Sequence, residues 1–115
     1  MTDAPPPRPR ILARDAGATP LAHEPAHEVV SGSPTTGSET VGTFGEVEVG
    51  IWEMSPGVVR DTEVDEIFVV LSGVGQVRFD DGEVLDLSAG AMVRLHAGER
   101  TVWTVVETLR KVWVA

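Results

Sequence analysis

The segment DEIFVVLSGVGQVRFDDGEVLDLSAGAMVRLHAG, residues 65–98, decides the fold class of this chain. Its run 66–71 is apolar after the first residue, and its run 74–79 alternates between apolar and polar side chains. A period of two places alternate side chains on opposite faces of a β-strand. The DDG at 80–82 is a hairpin signal, because Asp and Gly accept the positive φ that tight turns need. The segment therefore predicts antiparallel strands.

The same pattern continues on both sides of this segment. Residues 46–51 alternate with period two, and further short strands are predicted at 84–87, 91–95, 101–107 and 110–114. No window shows an apolar period of 3.6 residues over three helical turns. Short strands separated by Gly at intervals of about 8–12 residues are typical of an antiparallel barrel or sandwich. We therefore predict an all-β protein.

The N-terminal region differs in composition from the rest of the chain. Seven of the eight prolines of the chain lie in the first 34 residues, and few apolar residues recur there. Such sequence cannot bury enough surface to offset its ordering entropy. We predict a flexible, poorly ordered arm over residues 1–25 and a single domain over residues 26–115. MTDAPPPRPR at 1–10 lacks the apolar run of a signal peptide, so a cytoplasmic location is expected.

Charge and cysteine content exclude several classes of function. The chain has 115 residues, a net charge of −9 and no Cys, which rules out disulfides, thiolate metal sites and cysteine nucleophiles. Residues 46–86 carry 11 acids against two bases, so this acidic segment accounts for the whole net charge. Nucleic acid and anionic membrane surfaces need clustered Lys and Arg, so neither is an expected partner. The acidic segment is either a solvated surface or a cation site.

Four motifs bring the chain close to a known family. They are GIWEMSPG at 50–57, DEIFVVLSG at 65–73, GAMVRLHAG at 90–98 and TVWTVVETLRKVWV at 101–114. In their order and spacing they resemble the cupin superfamily, and more narrowly the single-domain cupins grouped with (S)-ureidoglycine aminohydrolase and the ethanolamine-utilisation cupins. The resemblance covers residues 42–115 and implies a small antiparallel jelly-roll barrel.

The resemblance also implies where a metal would bind. Metal-binding cupins place two His and a Glu in the first motif and a third His in the second, a set that suits Mn, Fe, Ni or Zn. The matching positions here are Arg60, Thr62, Glu66 and Thr101, so one ligand in four remains. No cofactor and no transition metal are therefore expected.

A second register keeps a divalent metal open as an alternative. Glu63 and Asp65 reproduce the His-x-His spacing with carboxylates, and Glu66 would complete a set of oxygen ligands suited to Ca or Mn. Adjacent residues of a strand point to opposite faces, which makes convergence of all three awkward. The alternative without a metal is that these acids belong to a solvated loop before the strand.

Glu66 is the residue most indicative of function. A carboxylate at the start of an apolar strand and inside a barrel is either desolvated or paired with a cation. If Glu66 points inward, as the resemblance implies, Phe68 and Val70 do so too, and Thr101, Trp103 and Val105 share one face of a later strand. The predicted ligand pocket consists of Glu66, Phe68, Phe79, Thr101, Trp103 and Arg60.

Three hypotheses for function follow. The leading one is a binder of a small polar metabolite in the barrel, without a His-rich metal site. The second is a cupin-type hydrolase or isomerase with Glu66 as base and His96, the only His of the barrel portion, assisting it. The third is a structural or regulatory module whose barrel is filled by its own side chains.

Three other basic and aromatic residues are expected to stabilise the fold and not to bind a ligand. Arg110-Lys111, the only adjacent basic pair, is interpreted as lying at a strand end rather than in a binding patch. Trp113 is expected to cover a sheet or pack at an interface. A homodimer is predicted, because outward valines such as Val69 would be covered by a second copy.

Overall fold

The computed structural model describes residues 10–115, and within that range every regular element is a strand. This confirms the predicted all-β class. The bounds are β1 Glu24–Pro25, β2 Val29–Ser31, β3 Thr35–Phe44, β4 Val47–Met54, β5 Gly57–Thr62, β6 Glu66–Phe79, β7 Val84–Leu87, β8 Met92–Leu95 and β9 Arg100–Val114. Residues 10–115 contain no helix of the length and hydropathy that would span a bilayer.

Two long antiparallel strands, β6 and β9, organise the sheet. On one side β9 pairs with β5 along its first half and with β4 along its second half. On the other side it pairs with β6 from Phe79↔Thr101 to Ile67↔Val114. The remaining strands extend these edges, with β7 and β8 on β6, β2 on β5, and β3 then β1 on β4. The result is a curled antiparallel sheet of the predicted jelly-roll type.

An irregularity in β6 lets the sheet bend. The register of β6 against β9 shifts between Val70 and Gly75. Gly73 has φ 95°, and a Cβ at this position would clash with the Thr108 carbonyl oxygen. Only Gly tolerates both conditions at once. The sequence predicts two strands here, at 66–71 and 74–79, whereas the structure has one strand with a bulge, because hydrogen bonding to β9 resumes beyond Gly73.

The hydrophobic core lies inside the curl. Phe68, Val70, Trp103 and Val105 are each at most 4% exposed, which confirms the predicted inward faces of β6 and β9. The outward residue Ile67 is 49% exposed, as strand alternation requires. Burying one such aromatic or aliphatic side chain contributes about 1.5–3 kcal/mol to stability. The inward face therefore fixes the position of Glu66, which begins the same row.

The predicted flexible arm covers residues 1–25, of which 1–9 lie outside the described residues. Residues 10–25 make specific contacts along the outside of β3 and β4. Leu12 lies so close to Gly42 that a Cβ there would be 2.9 Å from Leu12 Cδ1. Arg110 Nη1 donates to the carbonyl oxygens of Ala16 at 3.0 Å and Thr19 at 2.7 Å. These partners are more than 90 residues from Arg110 in sequence, which is why local composition does not reveal them.

Arg110 also joins this segment to β4. Its Nε lies 2.8 Å from Glu53 Oε2, and the Arg110 side chain is 7% exposed. Burial alone would raise the pKa of Glu53, but hydrogen bonds from Arg110 and His23 hold it below its usual value. His23 Nε2 lies 2.7 Å from Glu53 Oε1, so the carboxylate is held from both sides.

Replacing Arg110 with Met should release residues 10–22 from the sheet while the barrel remains folded. The variant loses a partly buried ion pair and two hydrogen bonds to the segment, so we expect Tm to fall by roughly 5–15 °C. Limited proteolysis should cut within residues 10–22 much faster than in the wild type. Arg78→Met, at an exposed position of β6, serves as control and should change neither quantity. Equal cleavage of both variants would contradict this role of Arg110.

Candidate functional site

A cavity of about 240 Å³ opens at the mouth of the curled sheet. Its walls come from β4, β5, β6 and β9, and the loop between β1 and β2 forms part of its rim. The aromatic walls are Trp52 and Trp103. The charged side chains that line it are Glu28, Arg60, Asp61, Glu63, Glu66 and Lys111.

An ion pair between a buried ammonium group and a partly buried carboxylate forms the floor of this cavity. Lys111 Nζ lies 2.6 Å from Glu66 Oε2, and the two side chains are 7% and 14% exposed. Lys111 pairs with Trp52 of β4 and with Val70 of β6, so it projects from the middle of the sheet. At this distance and burial the charges are strongly coupled, and removing either partner leaves the other uncompensated.

Three aromatic rings surround the Lys111 ammonium group. Its nitrogen lies 4.3 Å from the centroid of Phe68, 4.8 Å from that of Trp52 and 4.9 Å from that of Trp103. The rings also pack on one another, with Trp103 5.6 Å from Trp52 and 5.7 Å from Phe68. A cation within about 6 Å of a ring face is attracted by the ring quadrupole. The ammonium group therefore lies in an aromatic cage that is closed on one side by Glu66.

A chain of hydrogen bonds leads from Trp103 to a second buried carboxyl group. Trp103 Nε1 donates to Thr101 Oγ1 at 3.2 Å, and Thr101 Oγ1 donates to Glu63 Oε1 at 3.3 Å. Glu63 is 7% exposed. Burial, and then the hydrogen bond and negative charge of Asp61, raise the pKa of Glu63 to about 8. At neutral pH this carboxyl group is therefore mostly protonated and can donate a hydrogen bond.

The donor set does not fit a transition metal. The four positions that metal-binding cupins use carry a guanidinium at Arg60, hydroxyls at Thr62 and Thr101, and the carboxylate of Glu66. Neither a guanidinium nor an ammonium donates a lone pair to a metal. Since Glu66 is already bound to the Lys111 ammonium, the one matching ligand is engaged.

The alternative set of three carboxylates does not converge either. Asp65 is exposed, and its Oδ1 accepts from Ala97 N and from Arg94 Nη2, each at 3.1 Å. The backbone hydrogen bond from Ala97, together with Arg94, lowers the pKa of Asp65 despite the opposing effect of desolvation. Glu63 and Glu66 both line the cavity, whereas Asp65 lies outside it. Among residues 10–115 no cluster of three metal-ligating side chains occurs.

The residues predicted for the pocket lie at different depths. Glu66, Trp103 and Arg60 line the cavity, whereas Phe68 lies beneath it against Lys111. Thr101 is 2% exposed and reaches the site through its hydrogen bonds. Phe79 is 8% exposed and packs in the core at the other end of β6.

His96, the predicted partner of Glu66 in catalysis, lies elsewhere. It is exposed in the turn after β8, where its backbone N–H donates to the Glu99 carboxylate. It does not line the cavity. His27, in the loop between β1 and β2, lines the rim instead. Its neighbour Glu28 has φ 51°, unusual for a residue other than Gly, and the Glu28 carbonyl accepts from Arg60 N–H at 3.0 Å.

Lys111 is the residue of the candidate site that the sequence analysis missed. The interpretation of Arg110-Lys111 as strand-end residues was wrong, because both lie within β9 and each is 6% exposed. The available signal was alternation, since Lys111 lies two residues from Leu109 and two from Trp113 in an apolar strand. Trp113 lies over Gly50 and packs against the core, so it covers the sheet as predicted.

The sequence pattern and this strand order agree with a known family. The model of the EutQ-like cupin domain matches residues 41–113, which is most of the chain. The chain belongs to the EutQ-like cupin family. No curated protein gives a significant sequence match to this EutQ-like cupin.

Solved structures show the same fold at low sequence identity. Clostridium difficile EutQ matches with a TM-score of 0.62 and 23% identity, over 71% of this chain and 68% of that one. A putative ethanolamine utilization protein Q from Salmonella typhimurium matches with a TM-score of 0.63 and 20% identity, over 81% and 76%. A protein of unknown function from Pseudomonas syringae pv. tomato gives a TM-score of 0.73 and 19% identity, over 85% and 45%. These neighbours support the cupin fold of this chain.

Proposed function

We propose that this EutQ-like cupin binds a small polar metabolite in the cavity above the Lys111–Glu66 pair. The observation that carries the proposal is the cavity itself, which combines aromatic walls with buried charged groups at its floor. Binding sites typically join apolar walls to a few fixed polar groups. A volume of about 240 Å³ lies below the range of drug-sized ligand pockets, about 300–1,000 Å³, and suits a small metabolite.

The charges of the cavity favour a neutral or zwitterionic ligand. Within the described residues, Glu66 is the only hydrogen-bond partner of Lys111 Nζ, so its other N–H groups remain for the rings and the cavity. Protonated Glu63 and the Arg60 guanidinium add donors, and the acids Glu28 and Asp61 at the rim add acceptors. A ligand with a carbonyl or carboxylate at one end and an amine or hydroxyl at the other complements this arrangement.

Ligand binding should appear as a rise in Tm with small amino acids, ureides or ethanolamine, the last suggested by the similarity to the putative ethanolamine utilization protein Q of Salmonella. A compound at about 100 times its Kd should raise Tm by several degrees. Arg60→Gln should raise the Kd of that compound at least about five-fold and so reduce the rise in Tm, because it removes a hydrogen-bond donor at the rim of the cavity. The control Arg78→Gln, on the exposed face of β6, should respond like the wild type.

Two results would contradict the proposal. The first is an unchanged Tm with every compound of these classes, which would favour the hypothesis of a filled barrel. The second is an equal response of the Arg60 and Arg78 variants, which would place the bound compound outside the cavity.

Catalysis is the second candidate, and Glu63 is the observation that favours it. A carboxyl group with a pKa of about 8 in a cavity can transfer a proton near neutral pH. The Glu66 carboxylate already accepts a hydrogen bond from Lys111 Nζ at 2.6 Å, so it is engaged and is not the base that the sequence suggested. A hydrolase or isomerase would therefore use Glu63 as the acid or base. Its activity would follow the titration of Glu63 and disappear in Glu63→Gln.

A homodimer and a cytoplasmic location stay predictions. The outer face of β6 and β8 exposes apolar side chains, with Met92 75% and Ile67 49% exposed. Val69, cited from the sequence for this role, pairs with Met92 on the same face. A second copy of the chain that covered this face would bury these side chains.

A further inference from the structure

The Glu66 carboxylate is the one position of this site that matches a metal ligand of metal-binding cupins, and it holds an ammonium group instead. Its Oε2 is 2.6 Å from Lys111 Nζ. We infer that Glu66 and the rings of Trp52, Phe68 and Trp103 form an ammonium-binding site, which Lys111 fills from within the chain in place of a metal ion. This inference does not depend on which metabolite the cavity binds.

The chemistry of the cage distinguishes an ammonium ion from a metal ion. Ring faces attract a cation electrostatically at the observed 4.3–4.9 Å but supply no lone pair to a divalent metal. The ammonium group needs only one strong acceptor and three polarisable walls, which the site provides. A divalent ion would have to displace Lys111 from Glu66 and would gain one carboxylate ligand.

The geometry also predicts which ion should bind at this site when the Lys111 side chain is removed. Lys111→Ala deletes Cγ, Cδ, Cε and Nζ, which together are the heavy atoms of n-propylammonium. The deletion leaves Glu66 unpaired inside an apolar cage, and a carboxylate in that position is strongly destabilising. A small alkylammonium ion that enters from the cavity restores both the charge and the volume.

The test compares Lys111→Ala with Lys111→Met, whose side chain fills the same space without charge. Lys111→Ala should lower Tm by about 10 °C or more. Propylammonium chloride should then recover several degrees, whereas NaCl at the same ionic strength should not. Lys111→Met and the wild type should gain no more from propylammonium than from NaCl, because their cage is full.

Three outcomes would overturn the inference. They are a Tm of Lys111→Ala equal to that of the wild type, equal recovery by NaCl and propylammonium, and equal recovery of the Ala and Met variants. If Lys111→Ala does not fold alone, refolding in propylammonium but not in NaCl supports the inference, and failure in both overturns it. The double variant Glu66→Gln/Lys111→Met should be more stable than Lys111→Met, because it no longer buries an unpaired carboxylate. A double variant that is less stable contradicts the inference.

Discussion

Replacing Glu66 with Gln is expected to lower Tm by roughly 10–20 °C at neutral pH. Gln keeps the size of the side chain but removes the charge that compensates the Lys111 ammonium, whose side chain is 7% exposed. Breaking a buried ion pair on one side costs about 3–5 kcal/mol, because the remaining charge is out of water and unpaired. In a domain slightly larger than 100 residues each kcal/mol corresponds to about 4 °C in Tm.

The matched control for Glu66→Gln is Glu48→Gln in β4. Glu48 is exposed and forms no ion pair among the described residues, so its variant should have the Tm of the wild type within about 2 °C. Thermal unfolding followed by circular dichroism measures both. If Glu66→Gln were as stable as Glu48→Gln, the Lys111–Glu66 pair would not be the ion pair described above.

Glu63→Gln is expected to change how stability depends on pH. The pKa of Glu63 is about 8 in the folded protein and 4.5 for the unperturbed group, so in this interval the folded state holds a proton that the unfolded state lacks. The contribution of Glu63 is therefore fully present below pH 4.5 and is lost as pH rises through about 8. Since Gln does not titrate, the variant loses this dependence.

The measurement is Tm of both proteins at about pH 5 and about pH 8.5. From about pH 5 to about pH 8.5 the Tm of the wild type should fall by about 10 °C or more beyond any fall in the Tm of Glu63→Gln. The slope of Tm against pH should be intermediate in Asp61→Asn, because the hydrogen bond and charge of Asp61 are, after burial, the causes of the raised pKa of Glu63. If Tm changed with pH equally in the wild type and in Glu63→Gln, the pKa of Glu63 would not be raised in the folded protein, and the prediction would be wrong.

The parts of this site that strand alternation controls could be predicted from the sequence. Period two placed Glu66 on the same face as Phe68, and it placed Trp103 on the same face as Thr101. A shared face follows from one strand alone, whereas the inward direction of Glu66 was implied by the resemblance to cupins. The identity of the partner of Glu66 could not follow in this way, because Lys111 is 45 residues away on another strand.

Lys111 shows why local interpretation of charged residues fails inside a barrel. Two adjacent basic residues are typical of an exposed strand end, yet here both are buried and each pairs with its own partly buried acid. Arg110 pairs with Glu53 on one face of β9 and Lys111 pairs with Glu66 on the other. These pairings depend on the register of β9 against β4 and β6, which composition does not contain. The contacts of Arg110 with residues 10–22 likewise depend on the folded chain and cannot be read from local composition.

The acidic segment of residues 46–86 also divides into two groups in the structure. Glu46, Glu48, Asp80 and Asp81 are exposed, in keeping with a solvated surface. Asp61, Glu63 and Glu66 line the cavity, where Glu63 is mostly protonated and Glu66 is paired with Lys111. Charge counting alone could not separate these groups, since burial decides which carboxyl groups remain charged.

Elemental analysis of the purified wild-type protein tests most directly whether an ammonium group, and not a metal ion, is the cation at Glu66. The protein should be prepared without metal-affinity steps, dialysed in turn against Mn, Fe, Ni and Zn salts, and then freed of unbound ions. We expect each metal at a level well below one per chain, in the wild type and in Glu66→Gln alike. A metal bound at close to one per chain in the wild type and lost in Glu66→Gln would contradict the account.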